Sequence, residues 1–298
     1  MEQVGFPDLS LDALEIGIGF LAGFLTRLWL LRSDYRQYPS YPHSYIIHVA
    51  LGAMAALVGS VLFPALSEGD YAAVTFLLLV ATQFRDIRKI ERESLMNIEG
   101  EQLVPRGAEY IEGIARVFEA RNYLAMIVSI VSAGTVHLFG AVPGVVAGAA
   151  CLLVAASWRS GLTIEDIAEV ELAPVQIRGS DLYVGDIYIM NIGLPEIKQQ
   201  VVQWAVGIII RGTRPVHVMT LGSVGQRNAI IHDLVDRFGM RKDIATPEFT
   251  PLARKNQENG DLAIYFTPMI RDEQAILRYV KRVPVLETSH LVPKSRSR

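Results

Sequence analysis

Cysteine is nearly missing from this chain. The single thiol, Cys151, excludes an intramolecular disulfide and any Cys-based metal cluster in 298 residues. Absent too are the patterns from which chemistry is usually read. There is no HExxH pair, no Walker lysine, no paired-carboxylate context and no plausibly spaced Ser, His and Asp set. His217 and His232 lack metal-ligand spacing, so neither a metal nor another cofactor is expected. The net charge is only -3, with acids and bases mixed along the chain and no basic stripe, which argues against nucleic acid as a partner. The N-terminal stretch holds Glu2, Asp8 and Asp12 where a secretory signal would hold bases, and no small-residue cleavage site follows, so the first apolar run is expected to be retained.

What is present is apolar sequence in long runs. The mean hydropathy is +0.29 and 51% of residues are hydrophobic, too apolar for a wholly soluble protein. Five runs, 13–31, 45–66, 71–84, 123–140 and 141–158, read as membrane spans. With the N-terminus outside, all 28 Lys and Arg residues fall in the cytoplasm or at cytoplasmic helix ends, while the outside segments hold acids only, Glu68 and Asp70 among them. That bias is the one that orients membrane proteins. The expected fold is therefore an α-helical membrane bundle of five spans (1–158, with a cytoplasmic loop at 85–122), followed by a small cytoplasmic α/β domain at 159–290 and a disordered basic tail at 291–298.

Some spans are patterned for helix packing. Gly19 and Gly23 are four apart, and Gly140, Gly144 and Gly148 repeat at the same interval, which puts small residues on one face. Gly17, Gly19 and Ala22 also fit a loose dinucleotide fingerprint, but no strand precedes them. Ionisable groups at membrane depth are costly and mark sites of interest: Glu15, His48 and His137 are the candidates for an ion path, and Arg27 reads as a snorkelling anchor.

The loop at 85–122 carries 7 bases and 8 acids. Its first part continues the third run as a charged helix in which Lys89 and Glu93 pair at i,i+4. A break at Gly100, Pro105 and Gly107 follows. Then Tyr110, Ile111, Ile114, Val117 and Phe118 recur at helical spacing opposite Glu109, Glu112, Arg116 and Glu119, which predicts an amphipathic helix. Gly113 within it costs about 1 kcal/mol relative to Ala and suggests a close contact or a bend.

Tyr110, Ile111, Glu112, Gly113, Ile114 and Ala115 spell YIEGIA, and the chain closely resembles the YIEGIA family named for that string. The resemblance implies an integral membrane protein of endospore-forming bacteria, connected with sporulation, without an established enzymatic activity, and associated with small soluble partner subunits. It supplies no catalytic residues. The interaction surface is expected on the motif together with Val117 and Phe118.

The C-terminal half reads as strands and helices in alternation. Segments 169–177 and 182–191 flank a Gly179, Ser180, Asp181 turn and read as a hairpin. Pro195 opens a helix. Residues 201–210 are too few to span a membrane and read as a buried helix or a helix followed by a strand. A strand at 216–221, a helix at 226–238 closed by Gly239, a strand at 262–266 and a helix at 272–280 complete a pattern that predicts a right-handed parallel unit. Gly222, Ser223 and Gly225, between the expected strand and helix and assisted by Arg227, are the candidate anion-binding loop.

The function expected from all this is a non-enzymatic membrane scaffold or assembly factor, multi-pass in the cell membrane and placed in a spore membrane by the resemblance. Its expected partners are membrane lipid, small soluble protein subunits and further copies of itself. A channel or transporter component is the alternative, and a membrane-bound enzyme the second.

Overall fold

The computed structural model describes residues 9–34, 42–99, 104–157, 162–243 and 246–286. Glu2, Asp8, Gly100, Trp158 and the basic tail at 291–298 lie outside the described residues. The chain divides into two units, the first built from 1–94 and 114–160 and the second from 95–113 and 161–298.

The apolar runs become the helices α1 (Leu9–Asp34), α2 (Pro42–Ser67), α3 (Tyr71–Glu99), α4 (Ala108–Phe139) and α5 (Ala141–Ser157). These belong to the first unit except for 95–99 of α3 and 108–113 of α4, which belong to the second. Windows long and apolar enough to cross a membrane occur in three of them: Asp12–Leu31, Tyr45–Ser67 and Ala108–Phe139. The expected third span forms the apolar first half of α3, which continues past Phe84 in charged residues, and the expected fifth forms α5, a 17-residue apolar helix. Between α2 and α3 the chain turns at Gly69, whose φ of 73° suits glycine, and Asp70 then caps α3 by accepting from the Ala73 N–H at 3.0 Å.

Helices α1 and α4 run antiparallel with a steady register. Glu15 faces His137, Gly19 faces Ala133, Gly23 faces Ser129 and Arg27 faces Asn122. These four α1 positions are spaced by four residues, so they share one helix face. Phe84, Ala55, Val58 and Met126 form the apolar contact among α2, α3 and α4.

The second unit holds two antiparallel sheets. Strands β1 (Ala168–Ala173), β5 (Val206–Gly212), β7 (Leu262–Phe266) and β6 (Leu252–Lys255) line up in the order β1-β5-β7-β6, and β2 (Val175–Arg178), β3 (Asp181–Val184) and β4 (Ile187–Asn191) form a three-stranded meander. The expected parallel unit is thus overturned: every strand pair among the described residues is antiparallel. The source of the misreading is burial. In β5, Val206, Ile208 and Ile210 enter one core and Ile209 the other, and in β7 Leu262, Ile264 and Phe266 oppose Ala263 and Tyr265. Strands covered on both faces lose the alternation of apolar and polar residues and read like central parallel strands.

The expected hairpin is present about Gly179, but each of its arms is broken. Pro174 has no N–H to continue a ladder and separates β1 from β2, and Gly185, at φ 59°, separates β3 from β4. After the short α6 (Ile164–Ile167), which leads into β1, helices α7 (Pro195–Trp204), α9 (Val224–Phe238) and α10 (Glu273–Lys281) lie where expected, with Gly239 at φ 65° ending α9 and Asp272 capping α10 through the Ala275 N–H. Residues 216–221, expected as a strand, instead form α8 (Pro215–Gly222). Pro215 at its N-terminus presets the helical φ, and a Cβ at Gly212 of β5 would lie 2.7 Å from the Val218 N, so glycine there admits the helix against the sheet.

Candidate functional site

In the second unit, the segment that begins α4 is fastened along one face of α9. Gly107, at φ 90°, starts the helix, and its carbonyl accepts from Tyr110 N–H and Ile111 N–H at 3.1 and 3.2 Å. Tyr110 is 2% exposed, and its hydroxyl donates to Asp233 of α9, 3.1 Å from one carboxylate oxygen and 3.4 Å from the other. The ring stands edge-on to His232. His232 in turn meets the Val104 carbonyl at 2.8 Å through Nδ1. A carbonyl can only accept, so this contact fixes the proton on Nδ1. Val104 itself packs on the core beneath α9. Gly225, Asn228 and His232 fall at three- and four-residue steps along α9, and the Cβ that Gly107 lacks would sit 3.5 Å from the Asn228 amide nitrogen.

Burial shapes the electrostatics of this contact. It pushes the Asp233 carboxyl up to about 7, against the lowering effects of the Tyr110 hydrogen bond and the buried Arg106, while Asp236 adds a smaller push upward.

The candidate anion loop has a different setting from the expected one. With 216–221 helical, Gly222, Ser223 and Gly225 join two helices rather than a strand and a helix. The first turn of α9 already has an anion beside it, because Ser223 donates to the Glu109 carboxylate at 3.2 Å and a Cβ at Gly225 would collide with that same carboxylate. A helix N-terminus favours negative charge, and here the chain supplies it from the first turn of α4. Arg227 turns toward the Ser223 carbonyl, 3.4 Å away. His217 lies on α8, not on a strand, and bonds Thr213 at 2.8 Å.

The motif is divided between the units, with Tyr110, Ile111, Glu112 and Gly113 in the second and Ile114 and Ala115, with Val117 and Phe118, in the first. Its large apolar members Tyr110, Ile111, Ile114 and Phe118 are all buried at 2% or less. They are engaged within the chain, and the exposed members of this stretch are Glu109 and Arg116. Gly113 makes no close contact, because a Cβ there would meet nothing within 4 Å. That corrects the expectation of a tight approach at this glycine.

In the first unit the membrane-depth candidates are paired. Glu15 and His137 meet at 3.1 Å. His48 lies edge-on to Phe118 and 3.6 Å from Glu91. Arg27 is fully buried, donates from Nε to Asn122 at 3.0 Å and lies over the Phe118 ring, so it is an interior group rather than a snorkelling one. Arg121 adds a bond to the Leu30 carbonyl at 2.9 Å. Between these pairs the α1 glycines admit α4: a Cβ at Gly19 would lie 2.8 Å from the Ala133 Cβ, and one at Gly23 would strike the Ser129 hydroxyl. Gly144 faces Val136, and Gly148 faces Ala22 and Ser132. Gly140 has another role: its φ is 91°, nothing lies near its missing Cβ, and it turns the chain from α4 into α5. Asp233, Asn122 and the anionic role of Glu109 had no local signature in the sequence, since each takes its part from a residue about a hundred positions away.

Comparison with known proteins agrees with the motif. The profile described as YIEGIA protein matches residues 15–296. The chain is 37% identical over 275 residues to the uncharacterized protein YphB of Bacillus subtilis (strain 168), covering 92% of this chain and 93% of that one. No solved structure matches it.

Proposed function

Because the chain belongs to the YIEGIA family, we propose that it works as a non-enzymatic integral membrane platform in spore formation, recruiting small soluble protein subunits from the cytoplasm. In this reading five spans cross a spore membrane with the N-terminus outside, and the antiparallel-sheet domain is the cytoplasmic recognition module. The observation that carries it is the attachment of the segment 104–110 to α9 through Tyr110, His232 and Glu109. A helix with a membrane-length apolar window begins in the same unit as the sheets, so a partner held by the domain acts on a body continuous in sequence with that helix. The apolar side chains of the motif are engaged internally, which directs recognition to the exposed surface of the domain and gives the motif the task of anchoring it.

Copurification from sporulating cells tests this. Tyr110→Phe, which deletes only the hydroxyl bonded to Asp233, should lower recovery of soluble partners while membrane extraction is unchanged. A second reading, a conduit, has in its favour the Glu15–His137 pair, which joins the apolar windows Asp12–Leu31 and Ala108–Phe139. Unchanged partner recovery in Tyr110→Phe, together with altered ion flux in His137→Ala proteoliposomes, would replace the platform by the conduit.

A further inference from the structure

A loop and a cleft at the end of α9 form an exposed apolar and cationic surface that the attachment of α4 does not use. The loop between β7 and α10 carries Met269 and Ile270, which are 56% and 62% exposed. Exposed apolar residues taken singly need no explanation, but these two are adjacent and are held out by their backbone. Their N–H groups both donate to the Phe238 carbonyl at 3.1 Å, and Arg241 grips the preceding turn through the Thr267 and Pro268 carbonyls at 3.0 and 3.1 Å. The loop therefore presents these side chains to solvent rather than folding them inward.

Beside it lies a cleft of about 560 Å³ whose wall includes Ile270 itself and three guanidinium groups, Arg237 from α9 and Arg278 and Arg282 from the end of α10. Its aromatic part is the Phe238 and Tyr279 pair, with ring centroids 5.8 Å apart. None of the three arginines has a carboxylate partner among the described residues, in contrast to Arg211 and Arg271, which do. The one acid of the lining, Asp272, accepts from the Ala275 N–H at 2.9 Å as the cap of α10. Arginine in the last turn of a helix complements the dipole, which accounts for a cation at Arg237 or Arg278. It does not account for two rigidly displayed apolar residues next to them.

We infer that this surface docks onto an anionic phospholipid bilayer, with Met269 and Ile270 entering the interface and Arg237, Arg278 and Arg282 taking lipid phosphates or carboxylates. Charge complementarity selects this occupant, because unpaired guanidinium groups match acidic headgroups while an apolar tip matches the acyl boundary. Among the described residues, three helices of the same chain are long and apolar enough to cross such a bilayer.

The full-length protein in nanodiscs tests the inference. In a Cys151→Ser background, Met269→Cys would carry an environment-sensitive dye. Its emission should shift to the blue in discs containing phosphatidylserine and not in phosphatidylcholine alone. Arg237→Gln, Arg278→Gln and Arg282→Gln should each lower the docked population about fivefold, and Lys at the same positions should retain most of it. Three outcomes overturn the inference. An absent shift in phosphatidylserine discs removes the docking, and an equal shift in neutral discs removes the anion. A shift produced by inorganic phosphate in neutral discs makes the cleft a free-anion site instead.

Discussion

At the scale of single residues, the contact between Tyr110 and Asp233 makes a signed prediction. Desolvation pushes the half-buried Asp233 carboxyl up to about 7 from an ordinary value of 3.8, so the folded chain holds the proton more tightly than the unfolded one. The contribution is complete below the ordinary value and is lost as the pH rises through the window to about 7. Amide hydrogen exchange in 104–113, corrected for the intrinsic rate, should therefore quicken between about pH 4 and pH 7, and Asp233→Asn should flatten that response. The glycines give a second contrast. Gly113→Ala should be neutral or gain up to about 1 kcal/mol of helix stability, because the position is open. Gly23→Val should cost about 1–3 kcal/mol or more, because its Cβ is already blocked by Ser129 and by the Ala125 carbonyl, measured by unfolding in mixed micelles. Spacing alone made Gly19, Gly23, Gly140, Gly144 and Gly148 look alike. Only the fold separates Gly140, whose positive φ serves a turn, from glycines that admit a neighbouring helix.

At the scale of elements, the α1 and α4 pair is held by polar contacts at two levels with small residues between them. Twelve positions of α1 separate Glu15 from Arg27, about 18 Å of helix. Asn122→Leu should cost about 1.5–3 kcal/mol by removing the acceptor of a buried guanidinium, and Arg27→Met added to it should recover part of the loss, read as a double-variant cycle in the same micelles. The ionisable residues were visible in the sequence as oddities at membrane depth, but their partners were not. Glu15 and His137 are 122 positions apart, and no periodicity links them. The sheet domain shows the same limit. Helices α9 and α10 carried their own start and stop signals in Gly239 and Asp272 and were readable. In contrast, residues 216–221 read as a strand, and it is Pro215 and the opening at Gly212 that place α8 there.

At the scale of the whole molecule, the sheet-containing unit is assembled from two stretches of chain, and its stability should register both. A fragment covering 162–286 lacks the side chains that cover His232 and Asp233, so joining residues 104–113 to it through a flexible linker should raise its melting temperature by several degrees. An unchanged melt would show that the attachment contributes nothing to the unit. The five-span topology with the N-terminus outside has its own measurement, through cysteines placed at Ser67 and Ser295. An impermeant reagent outside intact cells should label position 67 and spare position 295, and the reverse pattern would overturn the topology. The one-sided distribution of bases is the ground for expecting this orientation, whereas the antiparallel strand order was hidden because β5 and β7 are covered on both faces.

That same discontinuity sets an order of events during synthesis. Residues 95–113 leave the ribosome first, and everything from 114 to 160, including the apolar remainder of α4 and all of α5, must follow before the rest of the unit is made. Tyr110 thus waits for Asp233, and Val104 for His232, until the intervening helices have been translated. Closure of the sheet-bearing unit is in this way a timer, completed only by a chain whose last apolar helices have already been translated.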